Sequence, residues 1–141
     1  RNHGVCNDSD NYNYMFYTDV NGDGNIDICN RADLGIRCHI NTGTSWQENA
    51  IVTDICANES GNYGVCNDDD NYTHIRFIDM NSDGKSDLVY RGDQGIQVYY
   101  SDGTSFNRRQ SSSICANESR NHGVCNDSDN YNYMFYTDVN G

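Results

Sequence analysis

The chain has 141 residues, a formal charge of −12 at pH 7 and an apolar fraction of 35%, with 13 glycines, seven cysteines and no proline. That leaves room for one ordinary domain with a thin or divided core, and so acidic a chain with a single lysine is no phosphate-backbone binder, which excludes nucleic acid as a partner. No apolar run approaches the roughly 18 residues of a membrane span, and no basic-then-apolar leader is visible, an absence without weight for a segment of something longer.

Short aromatic and β-branched runs alternate with Asn, Asp, Ser and Gly, a texture of many short strands joined by tight turns. The words GVCND at Gly4, Gly64 and Gly123, and ICANES at Ile55 and Ile114, divide the chain into unit A (1–60), unit B (61–119) and a further segment (120–141). Arg120–Gly141 repeats Arg1–Gly22 without a change, whereas A and B share somewhat under half their positions. The expected period is therefore A plus B, 119 residues, and the chain reads as a window on an alternating tandem array. A synthetic design with a deliberate overlap is the main rival.

In chain order, Met15/Ile75 and Tyr17/Phe77 stay apolar while Phe16 in A becomes Arg76 in B. This is period-two alternation, so a first strand with one buried face is expected. Ile28/Leu88 begin a second strand. Ile36/Ile96, Cys38/Val98 and Ile40/Tyr100 mark the inner face of a third, with Arg37/Gln97 and His39/Tyr99 facing out. Ile51–Cys56 gives a fourth in A, and the matching Ser-rich stretch of B is weak. The expected fold is all-β: tandem four-stranded antiparallel sheets of about 60 residues, too small to stand alone and expected to stack.

Between the first and second strands lie DVNGDGNID (Asp19–Asp27) and DMNSDGKSD (Asp79–Asp87). Asp19, Asn21, Asp23 and Asp27, and likewise Asp79, Asn81, Asp83 and Asp87, take loop positions 1, 3, 5 and 9, so a tightly wound loop can turn them to one centre. Gly24 and Gly84 permit the turn, and the carbonyl of Asn25 or Lys85 can add a backbone oxygen. Hard oxygen donors with about three negative charges suit Ca²⁺. Position 12 is Asn30 or Tyr90 instead of a bidentate Glu, and the flanks are strands, so these are not EF-hands. A metal-free Asx-rich turn is the alternative. The third loop keeps Asp138 and Asn140 only.

The stretches TDVNGDGNIDICNRADLGIRCHINTGTSW and IDMNSDGKSDLVYRGDQGIQVYYSDGTSF resemble the FG-GAP/VCBS calcium-loop repeat family, the blades of integrin-α-type propellers and related secreted lectins. The resemblance covers about half of each unit and implies four-stranded blades, Ca²⁺ in the loops and a ring of blades; the cysteines, and two units with part of a third, depart from that pattern.

Cys29 and Cys38 flank a hairpin turn and both become valine in B (Val89, Val98), as a cross-strand disulfide predicts. Cys56–Cys66 and Cys115–Cys125 share a spacing of ten and would tie consecutive units together. Cys6 is left over: its partner is expected in a preceding unit, with a Cys6–Cys115 bridge or a free thiol as alternatives. No CxxC pair points to zinc, and such bridges imply an oxidising, extracellular setting. N-glycosylation sequons fall at Asn7, Asn58, Asn71, Asn117 and Asn126, mostly in the inter-unit turns, so covalent N-glycans are expected in a eukaryotic source.

Catalysis has no support. His3, His39, His74 and His122 lack a nucleophile or orienting acid at recognisable spacing. Trp46, Phe106, Tyr99 and Tyr100 could stack on a sugar, though strand packing is their commoner role. The expectation is a non-enzymatic, extracellular, Ca²⁺-binding structural repeat protein that associates with itself into a filament or surface fibre. A calcium-loaded propeller lectin or adhesin binding carbohydrate is the alternative.

Overall fold

The computed structural model describes residues 15–32, 34–57, 75–92, 94–116 and 135–140. These residues are all-β and form two four-stranded antiparallel meanders, β1-β2-β3-β4 and β5-β6-β7-β8. The first has β1 (Met15–Thr18), β2 (Asp27–Ala32), β3 (Gly35–Asn41) and β4 (Trp46–Thr53); the second has β5 (Arg76–Ile78), β6 (Asp87–Gly92), β7 (Gly95–Ser101) and β8 (Phe106–Ser112). Cys6, Cys66, Cys125, all five sequon asparagines, His3, His74 and His122 lie outside the described residues.

Turn chemistry sets the register. Gly35 and Gly95 open β3 and β7 at φ of 109° and 102°, where only glycine is at ease. A Cβ on either would run into a backbone carbonyl, of Thr53 or Ser112, so the tight β2–β3 and β6–β7 turns depend on these glycines. At the next turn Thr42 N–H donates to Ser45 O at 2.9 Å, and Asp102 N–H to Ser105 O at 3.1 Å.

The expected cross-strand pair is present. Cys29 lies opposite Cys38, bridged by a disulfide with Cα atoms 4.1 Å apart, and Val89 lies opposite Val98 in the second sheet. One pair of facing positions thus carries a covalent bond in A and an apolar contact in B.

Several face assignments are corrected. Phe16 packs on the core and Tyr17 is 68% exposed, the reverse of the expected first strand of A. Gln97 is buried and Tyr99 packs against the core, stacked on Tyr90 with centroids 6.0 Å apart, although both were expected to face out. The fourth strand of A begins at Trp46, ahead of the expected Ile51, and its weak counterpart in B is a seven-residue strand. In A the reversal arises because Phe16 and Tyr17 are adjacent large residues and either could face the core; in B, Gln97 and Tyr99 share the face of Leu88 and Tyr90 that packs against unit A.

The two sheets share one core. Cys29, Ile36, Cys38, Ile51 and Val20 from A meet Ile75, Leu88, Tyr90 and Phe106 from B. Phe77 is its hinge, 5.1 Å from Phe16 and 5.9 Å from Phe106 between ring centroids, near the optimum for tilted aromatic pairs. Phe16 lies opposite Cys29 and Phe77 opposite Leu88, so one face of sheet A covers the other-handed face of sheet B. The contact is heterologous, with two different faces meeting.

Candidate metal centre

Each acidic loop joins the first two strands of its sheet and is wound by its own side chains. In A, both oxygens of Asp19 accept backbone N–H groups, from Gly22 at 2.7 Å and Gly24 at 2.9 Å. Asn21 Oδ1 accepts from Asp23 N–H at 3.1 Å, and Asp23 Oδ1 from Asn25 N–H at 2.8 Å. In B, Asp79 accepts from Asp83 and Gly84, Asn81 from Asp83, and Asp83 from Lys85. Gly22 and Gly24 sit at φ of 77° and 88°; in B the first is replaced by Ser82, held at φ 63°.

The ninth loop residue does something the sequence pattern concealed. Asp27 is fully buried, with one oxygen accepting Val20 N–H and the other Asn41 N–H, each at 2.9 Å. Asp87 repeats this with Met80 N–H and Ser101 N–H, each at 2.8 Å. These carboxylates clamp the loop's start to the end of the third strand. Burial, the largest influence, pushes both above the usual carboxylate range, and the charges of the loop's other two aspartates push the same way. Asp23 and Asp83, in the open, are held below it, mainly by the backbone N–H groups of Asn25 and Lys85.

The loops lie side by side. Ser86 N–H donates to Asp19 O at 2.8 Å, and Ser101 Oγ donates to Val20 O at 2.6 Å across the sheets. A Cβ on Gly22 would sit 3.1 Å from Lys85 Cγ. Lys85 Nζ lies 3.7 Å from Asp83, an exposed ion pair worth little for stability, but a positive charge that loop A lacks at Asn25. Asp138 and Asn140 border a cleft with Asp79, Met80 and Ser82, so the third copy of the loop's opening continues the row. Asn140 N–H donates to Asp138 Oδ1 at 3.2 Å.

As donors, Asp19, Asn21, Asp23 and Asp27, and their counterparts Asp79, Asn81, Asp83 and Asp87, suit a hard divalent cation, because every side-chain donor is oxygen and each oxygen keeps a second lone pair beside its backbone N–H. Among the described residues, no three His, Cys, Asp or Glu side chains are gathered as a metal-holding group. Part of the carboxylate capacity is spent on the backbone, and Asn21 and Asn81 turn their amide N–H groups to Asp23 and Asp83 at 3.1 Å.

Arg31 and Arg91 were not singled out in the sequence. Both are buried, and their Nε–H groups donate to Cys56 O at 3.0 Å and Cys115 O at 2.9 Å. They brace the turns that carry those cysteines, each at φ 66°. Cys56 and Cys115 are disulfide-bonded, with partners outside the described residues. An arginine recurring before each ICANES word was the available signal. Trp46 is half exposed, Phe106 is buried and spent on the core, and Tyr100 Oη donates to Gln110 at 2.9 Å; the four aromatics are not gathered on one sugar-sized face.

No protein-family model matches the chain, and no curated protein matches it in sequence.

Proposed function

We propose that this is a non-enzymatic, extracellular structural protein whose A and B units stack head to tail into a filament, with Ca²⁺ in the loops and disulfides between units. One observation carries the reading: unlike faces meet, the Phe16 face of A covering the Phe77 face of B, while Phe135–Asn140, which repeats Phe16–Asn21, shares a cleft with the end of β5 and the loop that follows it. A contact between unlike faces gives each unit a second, different face for a further neighbour, and such contacts run on as fibres unless the rotation closes a ring.

Calcium fits as a strut between units. The loops lie in a row at the seam, and their clustered carboxylates repel one another. Asp19, Asn21, Asp23 and Asp27, with the Asn25 carbonyl, would hold one ion; Asp79, Asn81, Asp83 and Asp87, with the Lys85 carbonyl, a second. Covalent N-glycans at the sequons would add a solvated sheath.

Calcium titration of chelated protein by calorimetry, with sedimentation and electron microscopy alongside, tests the reading. Saturable binding with about two ions per chain and calcium-dependent end-to-end growth are expected. No heat of binding would remove the metal from it, and discrete closed particles would favour a ring. The ring is the second reading, a blade-like lectin or adhesin, and the meander order with β1 against β5 favours it. Saturable sugar binding on a glycan array would decide for it.

A further inference from the structure

The rows of side chains across each sheet show which faces are covered. In B the row Phe77–Leu88–Tyr99 lies under unit A: Leu88 is fully buried and Phe77 and Tyr99 are packed on the core. The matching row in A is Tyr17–Ile28–His39, and it is open, Tyr17 being the exposed member. His39 Nδ1 accepts Asn49 N–H at 3.2 Å, so the neutral ring carries its proton on Nε2. That donor is shut off from water without a partner among the described residues. The exposed Tyr17 beside Ile28 leaves an apolar surface open to a neighbour.

The chain also indicates what covers it. Residues 134–140 repeat residues 15–21 letter for letter, and Tyr136 stands where Tyr17 stands in A. Tyr136 is largely buried, its hydroxyl out of water, in a cleft formed with Ile78 and Met80 of unit B. Arg76 is near enough for its charge to act on the Tyr136 hydroxyl. Arg76 alternates with Phe77 along β5 and so faces away from unit A. The outward side of B at the end of β5 therefore has beside it a segment with the sequence of β1, its tyrosine within reach of the Arg76 charge.

We propose that the Tyr17–Ile28–His39 face of unit A is a docking surface for the outward, Arg76-bearing face of unit B in a second copy of this chain. The inference rests on the end-to-end reading above and gives it a direction and residues. An arginine over a tyrosine ring gains cation–π attraction, whereas a second A unit would offer Phe16 there. Arg76 against Phe16 thus makes B, and not A, the neighbour on this side. Within the chain, Phe135–Asn140 holds the same seat, so an incoming A unit must displace it. The two segments are identical in sequence.

Sedimentation velocity of the 141-residue chain in calcium, comparing wild type, Tyr17→Lys and Tyr136→Lys, tests this. Either lysine faces Arg76, yet opposite effects are expected. Tyr17→Lys weakens association roughly tenfold or more, and Tyr136→Lys strengthens it by a similar factor, because the competitor for the seat is lost. Tyr17 is exposed, and a matched urea midpoint shows that its variant is folded. If Tyr17→Lys associates like wild type, this face is wrong while end-to-end stacking stands. If both substitutions act in the same direction, the shared seat is wrong. If none of the three proteins associates at the highest soluble concentration, the stacking reading falls as well.

Discussion

Asp87→Asn separates the clamp from the metal site. In the wild type, both Asp87 oxygens accept backbone N–H groups, from Met80 and Ser101 at 2.8 Å, in a fully buried setting. The amide keeps one acceptor and turns an NH₂ against the other donor. The charge-assisted bond lost is worth about 1.5–3 kcal/mol, and stranding a buried donor costs about 1–3 kcal/mol. Removing a buried charge that Asp83 and Asp79 repel gives part of this back. A net loss of about 2–5 kcal/mol is therefore expected in chelator, read as a lower urea midpoint at unchanged m.

The comparison is Asp83→Asn, an exposed site whose loss without metal should be much the smaller of the two. In saturating calcium both variants lose a proposed ligand charge, and with it part of the metal-linked stability, about 2.7 kcal/mol per site at a hundredfold excess over Kd, so the Asp87→Asn deficit seen in chelator persists beneath the metal effect. Equal stability of Asp87→Asn and wild type in chelator would refute the clamp. A loss for Asp87→Asn that appears only with calcium would show that its role is purely that of a ligand.

Three further outcomes are expected. Ser82→Gly should raise stability by about 0.5–1 kcal/mol, because Ser82 sits at φ 63° where unit A has Gly22 and the left-handed cost of about 1–2 kcal/mol outweighs glycine's extra unfolded-state freedom; thermal denaturation reads it. The double change Cys29→Val with Cys38→Val should fold, since Val89 and Val98 already occupy those positions in B, and lose no more than about 2–3 kcal/mol for a loop this short, measured by urea titration. Asp102→Thr, the residue of the matching turn in A, should flatten the acid side of the stability curve. The N–H of Thr104 foremost, with hydroxyl and backbone donors of Thr104 and Ser105, holds the Asp102 carboxyl far below its usual range. Its contribution is thus present above the unfolded value of 3.8 and lost as pH falls through the lower folded one. Urea midpoints measured downwards from pH 5 should fall less steeply in the variant.

Elements governed by local chemistry were legible in the sequence. The hairpin at Gly35, the paired cysteines and the loop with its odd-numbered Asx residues each follow from spacing and from which substitutions occur together. What escaped depended on neighbours. Phe16 and Tyr17 are adjacent large residues, and no alternation within one strand says which faces unit B. Gln97 reads as a wet position until its face is packed against unit A. The clamp made by Asp27 and Asp87 was hidden because its backbone partners, at Asn41 and Ser101, lie a strand away in sequence. The β8 stretch FNRRQSS has weak intrinsic preference, and its pairing with β7 is a tertiary gift.

The differences between A and B make each unit the other's complement. A sheet of four short strands buries too little to stand alone, so each must find stability at its faces and its loop. Unit A has a disulfide across β2 and β3, Phe16 facing B, and a loop without a counter-charge at Asn25. Unit B has two valines there, Arg76 facing outward, and Lys85 beside Asp83. Joining two A units would set Phe16 against a tyrosine row and bring two unneutralised loops together. Joining two B units would press Arg76 onto Phe77 and lose the Phe16–Phe77 pair. Alternation satisfies both interfaces, with an apolar aromatic junction on one side of B and an arginine–tyrosine junction on the other. An alternating order is therefore what the proposed interfaces call for, since the Phe77 and Arg76 faces of B differ from their counterparts in A.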